Sequence, residues 1–524
     1  MKILPVPLIR EADAFTIINE PIADIDLMER AATACVGWLK KNIQSDKKII
    51  VFCGSGNNGG DGLAIARLMN DAGYRVEVFT LTPPEKMSES CRINYGRIRD
   101  TGCGIRDAGG GMREAETRIP DLVSELLPDS SNLPLISPAD VVLDAIFGSG
   151  LTRPAEGFAA TVIHHINSSG AMVVAIDVPS GLFCDETTRM TSTNFVIHAN
   201  YTLTFAPPKL AFFFRENNVF AGDWQLLDIG LHQGFIESAD VRNFMLDEAD
   251  AAAILRKRNK FDHKGTFGHA LIIAGSTGKM GAAVLAARAC LHSGPGLVTL
   301  RIPKSGMNIL QSAVPEAMLD IDPNEDHYSE TPAIRSYSAI AAGPGIGMDS
   351  LSANALKILI QQTKIPIIFD ADAINILAEN KTWLGFVPEG SIFTPHPKEF
   401  ERIAGKSSND FDQNRIQREF SFRYQCYVVL KGAHTAITTP DGHCFFNTTG
   451  NPGMATGGSG DVLTGIITGL MAQGYSSLES CLLGVFLHGR AGDIALQEQG
   501  FEGLIAGDII INLGKSFQTL YGKF

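Results

Sequence analysis

Asp61 closes the run Gly54-Ser-Gly-Asn-Asn-Gly-Gly-Asp61, and Asp461 closes Gly457-Gly-Ser-Gly-Asp461, near opposite ends of the 524-residue chain. A glycine-rich loop lets backbone N–H groups approach an anion with no Cβ in the way. A helix that starts there adds about half a positive charge. Both loops therefore suit phosphate handling, each with a carboxylate beside it, and two such loops predict two active sites.

The first loop follows the β-prone run Lys48–Cys53 and precedes the helix-like Leu63-Ala-Ile-Ala-Arg67. Gly54, Gly56 and Gly59 satisfy Gly-x-Gly-x-x-Gly, which alone can also be a tight strand-to-helix turn. The rest of a dinucleotide fingerprint is missing, because the next strand-like run, Arg75–Leu81, ends in Leu81-Thr-Pro-Pro84 with no acid for a ribose. Asn57, Asn58 and Asp61 add side chains that a plain pyrophosphate turn does not need. Asp144 and Asp177 each close an apolar strand, and a carboxylate there is costly unless it meets a cation, a donor or a substrate. Asn58, Asp144 and Ser180 offer hard oxygens to a monovalent cation.

The second loop has companions. Lys431-Gly-Ala-His-Thr435 follows the strand-like Tyr427–Leu430, His396 stands between Pro395 and Pro397, and Asp370-Ala-Asp372-Ala-Ile-Asn375 ends another apolar run. Singly, these are a loop lysine, a solvated histidine and a polar strand edge. Asp461 singly is a favoured residue for a helix start. The loop carries more glycine than capping needs.

The elements that must position these groups are short β-branched runs alternating with helix-like stretches. Strands are expected at Lys48–Cys53, Arg75–Leu81, Val141–Phe147, Met172–Val178 and Tyr201–Phe205, then at His269–Ala274, Leu297–Ile302, Ser338–Ala342, Ile365–Phe369, Ser391–Phe393 and Tyr427–Leu430. Alternation of this kind predicts two parallel sheets covered on both faces, with ligands at the strands' carboxyl ends. Helices are expected at Ala282–His292 and Ser350–Gln362, and a hairpin at Thr435–Asn447 around Thr439-Pro-Asp-Gly442. Residues 100–139 read as a loop and surface helix. Leu231–Asp250, polar and acidic without a strong strand, reads as a domain boundary.

A net charge of −13 argues against nucleic acid or an anionic membrane as partner. No apolar run approaches the roughly 18 residues that span a bilayer, and Met1-Lys-Ile-Leu-Pro-Val-Pro has no long apolar core, so a cytoplasmic location is expected. The nine cysteines include no Cys-x-x-Cys pair and read as reduced core thiols.

Asn57–Gly62 with Asp144–Pro154, together with Leu27-Met-Glu-Arg-Ala31, resembles the YjeF N-terminal type of hydrated-NAD(P)H epimerase over residues 1–235. The resemblance implies a Rossmann-like α/β domain. In it Asn57, Asn58, Gly59, Gly60, Asp61, Gly148, Ser149, Gly150, Leu151, Thr152, Arg153, Pro154 and Asp177 bind the hydrated nucleotide, and Asn58, Asp144 and Ser180 hold potassium. Proton transfer at the hydroxyl-bearing C6 makes Asp177 the candidate acid/base.

Residues 245–524, through His263-Lys-Gly265, Gly343-Pro-Gly-Ile-Gly347, Asp370–Asn375, Thr394–Pro397 and Gly457–Asp461, resemble the ribokinase-like superfamily. Within it they are most similar to the ADP/ATP-dependent NAD(P)H-hydrate dehydratases. This implies a second doubly wound α/β domain, with Ala282, Gly345, His396 and Asp461 on the hydrate and Lys431, Gly432, Ala433, His434, Thr435 and Gly460 on ADP or ATP. It also implies that Asp461 takes the hydroxyl proton and that magnesium and the Gly457–Gly460 amides support phosphoryl transfer. The family pattern has a tyrosine just before Gly281, where this chain has Lys279-Met280. Other readings are an alcohol kinase of the hydroxymethylpyrimidine or sugar type, a nucleotide-binding regulatory protein, and an oxidoreductase. Small-molecule substrates are expected as partners, and a homo-oligomer is plausible from the apolar faces.

Overall fold

The computed structural model describes residues 1–101, 123–125, 133–188 and 195–522, and the chain divides into two units at Val241/Arg242. The first unit holds β1 Lys48–Cys53, β2 Arg75–Thr80, β3 Val123–Glu125, β4 Val141–Ala145, β5 Met172–Ile176, β6 Tyr201–Phe205 and β7 Asp223–Leu227. They form one parallel sheet in the order β3-β2-β1-β4-β5-β6-β7. The order reverses between β1 and β4, so the loops after those two strands open a crevice at the sheet's switch point.

Alternation along β1 shows why the sheet is covered twice. Ile49, Val51 and Cys53 enter one core with Leu39 and Leu63, whereas Ile50 and Phe52 enter another with Val142 and Ile163. Each such buried aliphatic side chain contributes about 1.5–3 kcal/mol. Two glycines let the first loop fold tightly: a Cβ on Gly54 would lie 2.0 Å from the Ile146 carbonyl oxygen, and one on Gly59 would lie 2.0 Å from that of Gly54.

The second unit holds β8 Asn243–Leu246, β9 His269–Ile273, β10 Leu297–Ile302, β11 Met318–Ile321, β12 Ala339–Ala342, β13 Ile367–Phe369, β14 Ile392–Phe393, β15 Tyr427–Leu430, β16 Ala436–Thr438 and β17 Cys444–Asn447. The sheet order is β11-β10-β9-β12-β13-β14-β15-β16-β17-β8, parallel except at the β15/β16 and β16/β17 pairs. The expected hairpin is β16–β17. Along β9, Ala270 and Ile272 face one core and Leu271 and Ile273 the other. The alanine-rich helix Met280–Ser293 packs closely on the helix Ser459–Ala472, where a Cβ on Gly465 would lie 2.2 Å from the Ala286 carbonyl oxygen.

Four strands escape the sequence pattern, among them β3, which lies within residues 100–139, read as a loop and surface helix, and pairs with β2. β7, β8 and β11 end their sheets and are only partly buried, so they lack the apolar signature of central strands. β8 lies inside the stretch read as a strandless boundary and pairs with β17 in the second unit. Most of residues 100–139 lies outside the described residues. The eight described cysteines are free and buried, and Cys103 is outside the described residues. No helix among the described residues is long and apolar enough to cross a membrane.

Two candidate active sites

The first unit encloses a cavity of about 500 Å³ at the switch point. Its walls come from the first turn of the helix Asn57–Asp71, the loop after β4, Asp177 after β5, Lys209 after β6 and the helix Val6–Asn19. Of the predicted residues, Asn57, Asn58, Asp61, Asp177 and the run Gly148–Arg153 line it. Gly59, Gly60 and Pro154 do not. Gly59 is pressed on the Gly54 carbonyl and Gly60 on the Met28 side chain, so these two glycines serve packing.

Asp177 has φ 63°, a left-handed conformation unusual for a non-glycine residue. Its Oδ1 lies 2.6 Å from Lys209 Nζ, and its Oδ2 accepts from the Ser149 N–H at 3.1 Å. Burial pushes the Asp177 carboxyl up, but the Lys209 ammonium and the Ser149 hydrogen bonds outweigh it and hold it below the usual value. Lys209, nearly inaccessible, also donates to the Phe205 carbonyl at 2.8 Å. It was not singled out in the sequence; its signal is a lysine after Pro207-Pro208 at a strand's carboxyl end.

Asp144 is fully buried beneath the cavity. Its Oδ1 accepts from Ser180 Oγ at 2.6 Å and its Oδ2 from the Ser180 N–H at 2.8 Å. Burial raises its carboxyl to about 6 against these hydrogen bonds. Asn58 is 9% exposed, and neither Oδ1 nor Nδ2 of its amide has a partner. A Cβ on Gly148 would lie 3.2 Å from that side chain. Burial, followed by the charge of Asp177, raises Asp61 well above the ordinary carboxylate range.

In the second unit Asp461 stands where two cavities meet. One, of about 750 Å³, is lined by His396, Lys431, Gly432, Ala433, Thr435 and Gly460 among others. The other, of about 470 Å³, is lined by Lys279, Ala282, Gly345 and Asp372. Ala371, Gly458 and Asp461 belong to both walls. Gly458 caps the helix Ser459–Ala472 at φ 93°. Among the described residues the N–H groups of Gly457, Gly458 and Gly460 meet no backbone acceptor, whereas that of Ser459 turns back to Thr456 O at 3.4 Å. Three amides, not four, are therefore free for a phosphoryl group.

Burial, with the charge of Asp370 next, raises Asp461 to about 6. Lys431 Nζ donates to Asp370 Oδ1 at 2.9 Å, and Thr464 Oγ1 donates to Asp370 Oδ2 at 2.7 Å. Asp372 Oδ2 accepts from Lys279 Nζ at 3.2 Å and from the Gly347 N–H at 2.9 Å. Met280, beside Lys279, is buried against Gly275 and Gly306.

His396 lines the larger cavity rather than the one with Ala282 and Gly345. Its Nδ1 caps the helix Pro397–Ala404 by accepting from the Lys398 and Glu399 N–H groups at 3.1 and 3.4 Å, so the ring nitrogen there carries no proton. Burial holds its imidazole below the ordinary value. His434 lines neither cavity, and its Nδ1 lies 3.2 Å from the Asn447 carbonyl oxygen in the hairpin. His488, not singled out in the sequence, lines the larger cavity with Nε2 3.0 Å from Ser459 O, and burial lowers it to about 4.

The fold and the sites define a two-centre α/β enzyme. One centre sets an ion-paired carboxylate among further carboxyls, and the other sets a carboxylate at a helix N-terminus between two cavities. A family described as YjeF-related protein N-terminus matches residues 24–211, and one described as NAD(P)H-hydrate dehydratase matches residues 270–513. The bifunctional NAD(P)H-hydrate repair enzyme Nnr of Moorella thermoacetica is 36% identical over 93% of this chain and 91% of its own length. That of Thermofilum pendens is 33% identical over 100% and 98%. The chain belongs to the family of bifunctional NAD(P)H-hydrate repair enzymes. Among solved structures, an ADP/ATP-dependent NAD(P)H-hydrate dehydratase from Bacillus subtilis, co-crystallized with ATP/Mg2+, aligns with 28% identity over 53% of this chain and 98% of that chain, with a TM-score of 0.47.

Proposed function

We propose that residues 1–235 epimerise the R and S forms of hydrated NADH and NADPH, and that residues 245–524 dehydrate the S form at the expense of ADP or ATP. The observation that carries the second half is the place of Asp461, on the shared wall of two cavities at a helix N-terminus. A donor nucleotide in one cavity and an alcohol in the other would meet at that carboxylate.

Hydroxide is a poor leaving group, so the C6 hydroxyl must first be esterified. Asp461 takes the hydroxyl proton as the oxygen attacks the terminal phosphorus, and the leaving ADP or AMP carries away the bridging electron pair. The Gly457, Gly458 and Gly460 amides and Lys431 stabilise the transferred charge. The ring nitrogen's lone pair then expels phosphate, and loss of the C5 proton restores the dihydronicotinamide. Magnesium, bound with the nucleotide, would neutralise phosphate charge. The donor set fits this mode: Asp370 and Asp372 are already paired with lysines, and no cluster of three or more His, Cys, Asp or Glu forms a metal cage among the described residues.

In the first unit, Asn57, Asn58, Asp61, Gly148–Arg153 and Asp177 hold the hydrate, with Asp177 as acid/base at C6. Asn58, Asp144 and Ser180 would hold potassium, which the partnerless buried Asn58 amide and the buried Asp144 carboxylate fit. Its charge would stabilise that loop junction.

The test is recovery of dihydronicotinamide absorbance from a mixture of R and S hydrated NADH, with magnesium and ADP or ATP. Recovery of both epimers beyond spontaneous epimerisation is expected. Recovery of the S epimer alone would remove the epimerase half, and no recovery with either nucleotide would favour an alcohol kinase.

A further inference from the structure

Asp13, on the helix Val6–Asn19, brings a carboxyl group to the first cavity from a wall opposite in sequence to every glycine loop. It is half-buried, and among the described residues no hydrogen-bond donor or ion-pair partner meets its carboxylate. Here the neighbouring cation is already engaged, because Lys209 is bound to Asp177 and to the Phe205 carbonyl. Asn58, whose buried amide also has no partner, lines the same cavity. Asp13 and the unpartnered Asn58 amide therefore line the same space that a ligand would fill.

We propose that Asp13 is a catalytic residue of this cavity, exchanging a proton with the ring nitrogen of the hydrated nucleotide while Asp177 serves the C6 hydroxyl. This rests on the epimerase reading above. C6 carries both the hydroxyl and N1, so it is a hemiaminal carbon. Asp177 removes the hydroxyl proton, the oxygen's electron pair forms the C6=O bond, and the C6–N1 bond breaks with its pair moving to N1. Asp13 delivers the proton that N1 then needs. Rotation of the aldehyde presents its other face, and the same steps in reverse close the ring: Asp13 takes the proton back, N1 adds to C6 and Asp177 returns a proton to the oxygen. No oxidant or co-reactant is consumed.

The environments of the two carboxyls suit opposite duties. Burial first, then the charges of Asp177 and Asp24 against that of Lys209, raises Asp13 to about 6, whereas Asp177 is held ionised by Lys209. Asp61, whose carboxyl burial raises well above the ordinary range, lines the same cavity. A group titrating near the working pH is an effective proton-transfer partner.

The experiment uses the full chain and pure R hydrated NADH without nucleotide, following conversion to the S form by chromatography. Asp13→Asn is expected to lower kcat for epimerisation by about 10²-fold or more with KM little changed. The unmodified chain is expected to lose kcat/KM as pH rises through about 6, and this limb should disappear in Asp13→Asn. Asp13→Glu should restore part of the rate and the pH dependence. Dehydration of pure S hydrated NADH with ADP or ATP should be unaffected, and the unfolding transition of the first unit should not be weakened, so both report folding. Near-normal kcat in Asp13→Asn, a retained pH limb, or equal loss in Asp13→Glu and Asp13→Asn would each overturn the proposal. Absence of epimerisation in the unmodified chain would instead overturn the epimerase reading, and this inference with it.

Discussion

Lys431 Nζ and Asp370 Oδ1 lie 2.9 Å apart, so the ammonium beside the Gly457–Asp461 loop is held by a carboxylate that is itself 1% exposed. A Cβ on Gly460 would come within 3.2 Å of the same ammonium, which sets it against the N-terminus of the helix Ser459–Ala472. Two like charges, the helix end and Lys431, thus converge where a phosphoryl group would sit. The Asp370 carboxylate offsets that charge.

The first prediction concerns that pair. Lys431→Met should raise the KM for ADP or ATP and also destabilise the second unit, because Asp370 keeps only the Thr464 hydrogen bond. Breaking a buried pair from one side costs about 3–5 kcal/mol, and the partial exposure of Lys431 places this case toward or below the lower end. Urea unfolding would measure the loss. Lys431→Met with Asp370→Asn should regain most of the stability and none of the affinity.

Asp461 carries the second prediction. Asp461→Asn should abolish dehydration of the S epimer while epimerisation continues. In the unmodified chain, kcat/KM for dehydration should rise with pH through about 6 and then level, since the base must be ionised and its carboxyl is raised to about 6. Initial rates across the pH range would show this limb. Loss of both activities in Asp461→Asn would falsify the separation into two centres.

What the sequence revealed, and what it hid, divides along the geometry. Gly54–Asp61, Asp177 and Gly457–Asp461 were legible because each is a local string in which loop, strand end or helix start and the reactive group are contiguous. Lys209 and Asp13 were not, since they reach the first cavity from β6 and from the first helix with no string around them that speaks of chemistry. Within Lys431–Thr435 the turn sends successive side chains different ways, so Lys431 and Thr435 line the larger cavity while the His434 ring packs on the hairpin. Central strands were found by their apolar runs, whereas β7, β8 and β11, at sheet edges, bury too little to need them.

Gly458 supplies the third prediction. At φ 93° an L side chain is strained by roughly 1–2 kcal/mol, and a Cβ there would lie 2.4 Å from Leu285 Cδ1. Leu285 lines the smaller cavity, and Gly458 borders both. Gly458→Ala should therefore lower the thermal midpoint modestly and impair turnover far more, because the shift falls on the wall between donor and acceptor. A midpoint and a kcat for the S epimer, measured on one preparation, would test the disproportion.

The last prediction follows from Asn58. Its Oδ1 and Nδ2 are both buried without partners, a cost that a ligand or ordered water would offset. If the settling ligand is potassium, held with Asp144 and Ser180, epimerisation should require that ion and weaken when choline replaces it. Dehydration of the pure S form by the second unit should tolerate the exchange. Asn58→Ala should lower epimerisation by about 10–100-fold, the loss typical when support of a bound cation is removed. It should also stabilise the ion-free first unit against urea, since two unsatisfied polar atoms disappear. A variant that epimerises normally in choline would remove the cation from this site and leave the Asn58 amide to the nucleotide alone.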